Sequence, residues 1–262
     1  AVVSMYDPFP DGAPSRNFTA GFSAQTGVNA ALTASAGLDG SRKAIEEVYG
    51  PLEGMTDGRF EQSFTDLGDV WEIKRSYFKF TPSCRYTHPP LCALEKIRDD
   101  LDHDRIESID VYSYRNAIDL DQTAPTNLTS AKFSIPYVLA RSLVSGDLWL
   151  DDFEDDAISD RQTQAMADRV SLYFDPDYED AFPQRWGARV EVTHDDGRTV
   201  TAECSDPPGD YRLAPHEERL HDLFHELLAW RFDDDQADRA LSAILDIRNR
   251  DARAVGGVLR GT

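Results

Sequence analysis

Hydrophobic and polar positions divide the 262 residues into an apolar helical part, a mixed part and a second helical part. Residues 18–37 are small and apolar with almost no charge, and the segment SRKAIEEVYG follows them. Glycines at positions 37 and 50 lie where the two segments end, and glycine commonly follows the last turn of a helix. The pattern therefore predicts two closely packed helices, with Gly37 and Gly50 as their carboxy-terminal caps.

From about residue 70, alternating segments and helical segments follow one another. Alternation with many aromatic residues is typical of strands and predicts them at 71–80, at 105–114 and, as a hairpin, at 186–204. Asp196-Gly197 is the turn signal of that hairpin. Helical spacing predicts helices at 89–101, 134–145 and 156–169. After a Pro-Gly-rich segment at 205–215, helical periodicity returns as far as about residue 250.

The order of these elements predicts an α+β fold in which a mixed module interrupts a helical body. We assign residues 1–69 to a helical domain, residues 70–205 to an α+β lid and residues 206–262 to the carboxy-terminal return to the helical domain. A discontinuous all-helical domain with an inserted α+β lid has a cleft between its two parts. Ligand sites occur preferentially in such clefts, so we expect the functional site there.

Charge excludes two classes of partner. The chain has 48 acidic and 27 basic residues, for a formal net charge of -21. This charge repels nucleic acid and anionic lipid, so no nucleic-acid partner and no membrane partner are expected. Because only five of the basic residues are lysines, we hypothesise a halophilic protein that stays soluble in high salt. An ordinary acidic cytosolic protein is the alternative.

The sequence predicts a soluble cytoplasmic protein without a metal site. No apolar run approaches the roughly 20 residues that span a bilayer, and residues 1–16 lack the pattern of a signal peptide. The three cysteines form no CxxC pair, which favours reduced thiols over a disulfide framework or a zinc site. His221 and His225 are four residues apart on one predicted helix, but no third metal ligand is evident.

Three long windows contain no Asp or Glu, at 12–38, 73–94 and 122–146. They could be core segments, because charged residues stay mostly outside protein cores. That explanation accounts for the missing carboxylates but not for the cations that the windows keep. These cations are Arg16, Lys74, Arg75, Lys79, Arg85, Lys132 and Arg141. If several of them face one cleft, they form a positive well for a substrate with several carboxylates.

Two predicted helix starts lie inside these windows. Pro89 and Pro90 fit the first turn of a helix, which places Thr87 and His88 at its amino-terminal cap. Pro136 likewise places Ser134 and Tyr137 at the start of another helix. Free N–H groups and a partial positive charge make a helix start a possible carboxylate seat. For His88, a simple capping role is the alternative to a role in the site.

Three segments resemble conserved motifs of the MmgE/PrpD family. KFTPSCRYTHPPLCALEKI resembles the family's lysine-proline-cysteine-histidine motif, AKFSIPYVLARSLVSGD its second motif, and FTAGFSAQTGVNAALTASAGLDG its small-residue helix pair. The family includes 2-methylcitrate dehydratase, cis-aconitate decarboxylase and an iminodisuccinate epimerase. The resemblance implies a helical domain interrupted by an α+β lid, and activity on di- and tricarboxylates without metal, iron-sulfur cluster or other cofactor.

The resemblance also assigns roles to individual residues. It matches Lys79 to the family's active-site lysine, Tyr137 to its active-site tyrosine, and Cys84, Arg85 and His88 to a loop that faces the substrate. Arg16 lies where many members have another active-site lysine, and Thr19 where they often have histidine. From these matches we expect Lys79, His88 and Tyr137 to be catalytic and Arg16, Cys84, Arg85 and Ser134 to bind substrate.

Family members are considerably longer at the amino terminus, so the sequence is expected to hold the carboxy-terminal part of an enzyme. Expected partners are a small di- or tricarboxylate substrate and either a second copy in a homodimer or a separately encoded amino-terminal half. The leading functional hypothesis is a 2-methylcitrate dehydratase-like hydro-lyase, in which Lys79 and Arg16 stabilise carboxylate and enolate charge and His88 or Tyr137 exchanges protons. The alternatives are a decarboxylase or epimerase of a related polycarboxylate, and a non-catalytic half or partner subunit.

Overall fold

A four-stranded mixed sheet lies at the centre of the fold. The computed structural model of the protein describes residues 16–40, 68–69, 71–213 and 217–260. The strands lie in the order β2-β1-β3-β4, with β1 at Ile106–Ser113, β2 at Val170–Phe174, β3 at Ala188–His194 and β4 at Thr199–Cys204. β1 pairs in parallel with β2 and antiparallel with β3, and β3 pairs antiparallel with β4. The expected α+β class is therefore confirmed.

Alternating burial holds the sheet against its helices. In β3 every second residue is buried, and Val190 and Val192 are completely inaccessible to solvent, as are Ile109 and Val111 of the neighbouring β1. The opposite face of β3 is partly exposed, so the strand follows the two-residue period of its sequence. The predicted hairpin is confirmed, and Gly197 in its turn has a φ of +82°, which glycine adopts without strain.

Short helices surround the sheet. They are α2 at His88–Glu95, α3 at Arg115–Ile118, α4 at Leu128–Lys132, α5 at Ile135–Ser145, α6 at Asp155–Ile158, α7 at Arg161–Ala167 and α8 at Pro176–Ala181. α2 packs on β3, β4 and α5, and α5 also packs on α7. The helix predicted at 156–169 is divided in two, because the Asp160 carboxylate caps a new helix by accepting from the Thr163 N–H at 2.9 Å.

Longer helices lie toward both ends of the chain. They are α1 at Arg16–Ser35, α9 at Glu217–Leu228, α10 at Asp234–Leu245 and α11 at Ala252–Arg260. Gly37, with a φ of +96°, follows α1, and the Leu38 N–H bonds to the Thr33 carbonyl, so the predicted cap is confirmed. The second helix predicted there, before Gly50, lies outside the described residues. None of the helices in the described segments is long and apolar enough to cross a membrane.

The strand predicted at 71–80 is wrong. Residues Glu72–Arg75 form a single 3-10 turn, and the segment then runs beside the loop at 205–213 without joining the sheet. One backbone hydrogen bond of 2.9 Å, from the Phe78 N–H to the Gly209 carbonyl, links the two segments. The alternating apolar residues do not form the buried face of a strand. Trp71 and Ile73 are 59% and 78% exposed, whereas Tyr77 and Phe80 are partly buried beside α2.

The sequence pattern also missed the strand β2. Its sequence, VSLYF, directly follows the predicted helix, and only its first residue is fully buried. Five residues at a sheet edge carry too little alternation to be separated from a preceding helical segment. Pairing with the parallel strand β1 therefore decides the conformation of this segment.

Candidate active site

Two lysines lie close together on neighbouring loops. Lys79 is exposed, and its Nζ donates to the Ser83 carbonyl at 2.9 Å. Lys132 is half-buried at the end of α4, with its Nζ 5.5 Å from the centre of the Phe153 ring. The Cys84 N–H donates to the Lys132 carbonyl at 2.8 Å, which joins the two loops. We call Lys79 and Lys132 the lysine pair.

The lysine pair is a local concentration of positive charge. Burial lowers the pKa of Lys132, and the nearby Lys79 ammonium lowers it further because two like charges repel. Within the described ranges, no carboxylate lies within ion-pair distance of either lysine. The pair brings together two cations from two of the acid-free windows, and the predicted role of these cations as a positive well for a substrate stays a prediction.

His88 is the first residue of α2 and is 6% exposed. Its Nδ1 lies 2.6 Å from the Tyr77 hydroxyl, whereas its buried Nε2 has no hydrogen-bond partner among the described residues. Burial first, and then the positive charges of Lys79 and Arg85, lower the pKa of His88 to about 3, although the Ser83 and Thr81 carbonyls oppose this shift. The imidazole is therefore neutral at physiological pH.

A cleft of about 270 Å³ opens beside His88. Its lining comes from the loop before α2, from α2 itself, from the residues that follow α5, from the segment after β4 and from α9: Phe80, Thr81, His88, Leu91, Cys92, Glu95, Asp147, Leu148, Pro207, Pro208 and Arg219. The lysine pair does not line this cleft, and His88 is common to both features. Because the cleft carries Glu95 and Asp147, its chemistry is less suited to a polycarboxylate than the side that faces the lysine pair.

Arg85 is held in place by three side chains. Its guanidinium bonds to Asp210 at 3.0 Å and lies 3.8 Å from the centre of the Trp186 ring and 4.5 Å from that of Tyr77. Asp210 is 1% exposed and also pairs with Arg212. Most of the charge of Arg85 is therefore used inside the protein, and the predicted contact of Arg85 with substrate stays a prediction.

Ser134 and Tyr137 lie in the core at the start of α5. The Ser134 hydroxyl accepts from the Tyr137 N–H at 2.9 Å and donates to the Gln122 carbonyl, so Ser134 caps the helix whose start the sequence predicted here. The Tyr137 hydroxyl donates to the Asp152 carbonyl, and burial raises its pKa to about 12. Neither residue lines the cleft, and their predicted roles in binding and catalysis stay predictions.

The structure brings four of the predicted site residues into one loop, 79–88, and leaves the others elsewhere. Lys79, Cys84, Arg85 and His88 belong to this loop, and Cys84 is half-buried at its contact with α4. Arg16 begins α1, and its side chain lies outside the described part of the chain. In α9, His225 Nε2 lies 3.4 Å from Asp238 of α10, and the described segments contain no cluster of three residues able to hold a metal ion.

Comparison with known proteins identifies the family. The model described as MmgE/PrpD C-terminal domain matches residues 81–248, which include Cys84, Arg85, His88, Ser134 and Tyr137. The chain belongs to the MmgE/PrpD family. Lys79 lies two residues before the matched segment, and Arg16 lies well outside it.

Three curated relatives that the chain matches come from Aspergillus species. A cis-aconitate decarboxylase of Aspergillus terreus is 25% identical over 226 residues, which are 77% of this chain and 45% of the relative. A cis-aconitate decarboxylase-like protein of Aspergillus oryzae is 23% identical over 246 residues, which are 86% of this chain and 50% of the relative. The chain thus spans about half the length of the curated relatives it matches, and the similarity supports an enzyme in general.

Sequence reasoning missed three residues of this MmgE/PrpD site. The sequence indicates Lys132 only as one of the cations in an acid-free window, because its contact with the loop of Lys79 depends on the tertiary fold. Because the pattern predicts a strand at 71–80, it gives no indication that Tyr77 approaches His88. Asp210, the partner of Arg85, lies in a Pro-Gly-rich loop where no sequence pattern marks a buried carboxylate.

Proposed function

We propose that this MmgE/PrpD chain is the carboxy-terminal part of a lyase that acts on a di- or tricarboxylate without a metal or other cofactor. One observation carries the proposal: the lysine pair has no acidic partner in the described segments, and one of its members, Lys79, lies near the neutral, buried imidazole of His88. Two ammonium groups can hold substrate carboxylates, and a neutral imidazole can accept a proton.

The leading reaction is the dehydration of a β-hydroxy tricarboxylate of the 2-methylcitrate type. His88 removes a proton from the carbon next to a carboxylate, while Lys79 and Lys132 hold the enolate-like charge on the carboxylate oxygens. The C–O bond of the neighbouring carbon then breaks, and the imidazolium returns the proton to the departing hydroxyl. Water and an alkene leave, and the enzyme returns to its starting state.

Decarboxylation is the second candidate, and the names of the relatives favour it. The curated relatives are named as cis-aconitate decarboxylases or as similar to one. In that reaction a C–C bond to one carboxylate breaks, CO₂ leaves, and the remaining carbanion takes a proton. The lysine pair would hold the two carboxylates that remain, so the same charges serve either reaction.

The proposal extends to the arrangement of the whole enzyme. In it, residues 70–205 form a lid on a discontinuous helical body, and residues 1–69 and 206–262 belong to that body. The expected partner is either a separately encoded amino-terminal half, which supplies the rest of the body, or a second copy of the chain in a homodimer. The length of the curated relatives, about twice the segment that this chain matches, supports this arrangement.

Turnover tests the proposal and separates the two reactions. The purified chain is incubated with 2-methylcitrate, citrate or cis-aconitate in molar KCl, and the products are identified by proton NMR. An unsaturated tricarboxylate from a hydroxy acid indicates dehydration, whereas an unsaturated dicarboxylate from cis-aconitate indicates decarboxylation.

Variants of the lysines provide the control. Lys79→Ala and Lys132→Ala should each lower kcat/KM by roughly 100-fold or more, because each removes a charge that stabilises the transition state. Lys74→Ala, which removes an exposed lysine from the same stretch, should leave turnover unchanged. Turnover that survives in both variants of the pair would remove these lysines from the mechanism. A folded chain that turns over none of the three acids would favour a non-catalytic subunit.

A further inference from the structure

The hydroxyl of Tyr77 bridges a side chain and the backbone of a distant loop. It lies 2.6 Å from His88 Nδ1 and 3.1 Å from the Pro208 carbonyl oxygen. His88 Nε2, on the other side of the imidazole, is buried and has no partner in the part of the chain that the structure describes. Tyr77 therefore makes the only side-chain hydrogen bond that the described residues offer this ring.

The number of hydrogens links the directions of the two bonds. A tyrosine hydroxyl has one hydrogen to donate, and a carbonyl oxygen can only accept. If the hydroxyl donates to Pro208, then the contact of 2.6 Å with His88 is satisfied only when Nδ1 carries the ring proton and donates it to the Tyr77 oxygen. The neutral ring has one N–H, so Nε2 is then unprotonated.

We infer that Tyr77 is a positioning residue that fixes His88 as the tautomer with the proton on Nδ1 and a free lone pair on Nε2. In this form the ring can accept a proton at Nε2 but cannot donate one there. Tyr77 thus assigns His88 the role of a base. The assignment of the tautomer rests on geometry alone, and its catalytic meaning rests on the proposed function.

The surroundings of Tyr77 and His88 keep the His88 ring neutral and the Tyr77 hydroxyl protonated. Lys79 and Arg85 face His88 from its own loop and disfavour the imidazolium, while the Ser83 and Thr81 carbonyls favour it. Burial raises the pKa of the Tyr77 hydroxyl far above its ordinary value, so the hydroxyl keeps its proton. The Arg85 guanidinium, 4.5 Å from the centre of the Tyr77 ring, holds that ring over its partners.

Nitrogen NMR of the imidazole tests the inference without any need for turnover. The chain is labelled with ¹⁵N at histidine, the ring nitrogens are observed through long-range proton couplings at neutral pH, and a His88→Gln variant identifies the signals. We expect an unprotonated Nε2 and a protonated Nδ1 in the unmodified protein. A protonated Nε2 would overturn the inference, whatever the outcome of the activity assay.

Two matched variants test the part that Tyr77 plays. Tyr77→Phe keeps the ring beside Arg85 but removes the hydroxyl, so the His88 tautomers should become mixed or reverse. Tyr86→Phe removes a hydroxyl from the loop 79–88. The Tyr86 ring packs on Tyr114 and Trp186 and not on His88, so this variant should leave the His88 signals unchanged. An unchanged tautomer in Tyr77→Phe, with native amide shifts elsewhere, would contradict a positioning role.

Activity then separates this inference from the proposed function. If the chain turns over a polycarboxylate, Tyr77→Phe should lower kcat by roughly 10- to 100-fold with little change in KM, because general-base catalysis is weakened while the lysine pair still binds substrate. If the chain is inactive but the tautomer follows Tyr77, the proposed function fails and the positioning inference stands. Equal kcat in the two Phe variants would contradict the catalytic meaning of the tautomer.

Discussion

At the scale of residues, the loop 79–88 combines the positive charge of Lys79 with the buried imidazole of His88. Its sequence alone indicates only part of this arrangement. Lys79 and His88 are nine residues apart, so their proximity followed from one motif. Lys132 joins them through a tertiary contact with the Cys84 backbone, which no local pattern predicts. Arg85 belongs to the same motif and Tyr137 to the second one, yet the Arg85 guanidinium pairs with Asp210 and the Tyr137 hydroxyl bonds to a core carbonyl. Sequence motifs therefore indicated the candidate residues, and tertiary contacts determine which of their groups are available.

The buried His88 predicts how stability depends on pH. Its pKa is about 3 in the folded protein, below the ordinary 6.5, so between these values the unfolded chain binds a proton that the folded chain does not. Stability is therefore lost as the pH falls below about 6.5. From pH 7 to pH 5, His88 should contribute a loss of about 2 kcal/mol in the free energy of unfolding.

Urea unfolding of two histidine variants at pH 7, 6 and 5 measures this contribution. In His88→Gln the free energy of unfolding should depend on pH less steeply than in the unmodified protein, by about 2 kcal/mol over this range. His103→Gln is the control, because His103 is partly exposed and lies away from the cleft. Equal slopes in all three proteins would mean that His88 is not held neutral by its surroundings.

At the scale of elements, the contact between residues 76–80 and the loop at 205–213 determines the geometry around His88. Gly209 has a φ of +93°, and a Cβ there would fall on the Phe78 carbonyl oxygen. The neighbouring Pro208 carbonyl accepts from Tyr77. This close approach explains why the alternating segment does not join the sheet, since its backbone meets an irregular loop instead of a strand. No pattern in the sequence indicates that approach, whereas β1 and the hairpin were predicted because their alternation matches their burial.

A pair of glycine substitutions isolates this contact. Gly197→Ala places a side chain at a φ of +82° with open space around it and should cost about 1 to 2 kcal/mol in the free energy of unfolding. Gly209→Ala has the same backbone strain and in addition a clash with the Phe78 backbone. It should therefore cost about 1 to 3 kcal/mol more than Gly197→Ala in urea unfolding. Equal costs would show that the two segments separate easily and do not hold Tyr77 in position.

At the scale of the whole molecule, the chain has a net charge of -21, whereas its candidate site holds two lysines without an acidic partner among the described residues. Long-range repulsion opposes the approach of an anionic substrate, so local contacts must supply the binding free energy. The same charge destabilises the compact state through self-repulsion. The acid-free windows could be identified from the sequence because the remainder is so acidic, but which of their cations meet could be determined only from the fold.

Salt should therefore stabilise the fold. Screening shortens the range of electrostatic interactions from about 30 Å at 0.01 M salt to about 10 Å at 0.1 M and about 3 Å at 1 M. We expect the midpoint of thermal unfolding to rise by at least about 3 °C between 0.02 M and 1 M KCl at pH 7.5. The rise should shrink at pH 5, where part of the carboxylate charge is lost. A midpoint that does not change with salt would contradict the halophilic hypothesis.

The most direct test of the central claim is the binding of a polycarboxylate to the chain, measured by isothermal titration calorimetry with cis-aconitate. The unmodified protein and Lys74→Ala should bind it with the same Kd. Lys79→Ala and Lys132→Ala should each bind roughly 10- to 100-fold more weakly, because each loses a charged contact. Binding that is equal in all four proteins, or absent from the folded unmodified chain, would contradict the assignment of the lysine pair as the seat of the substrate.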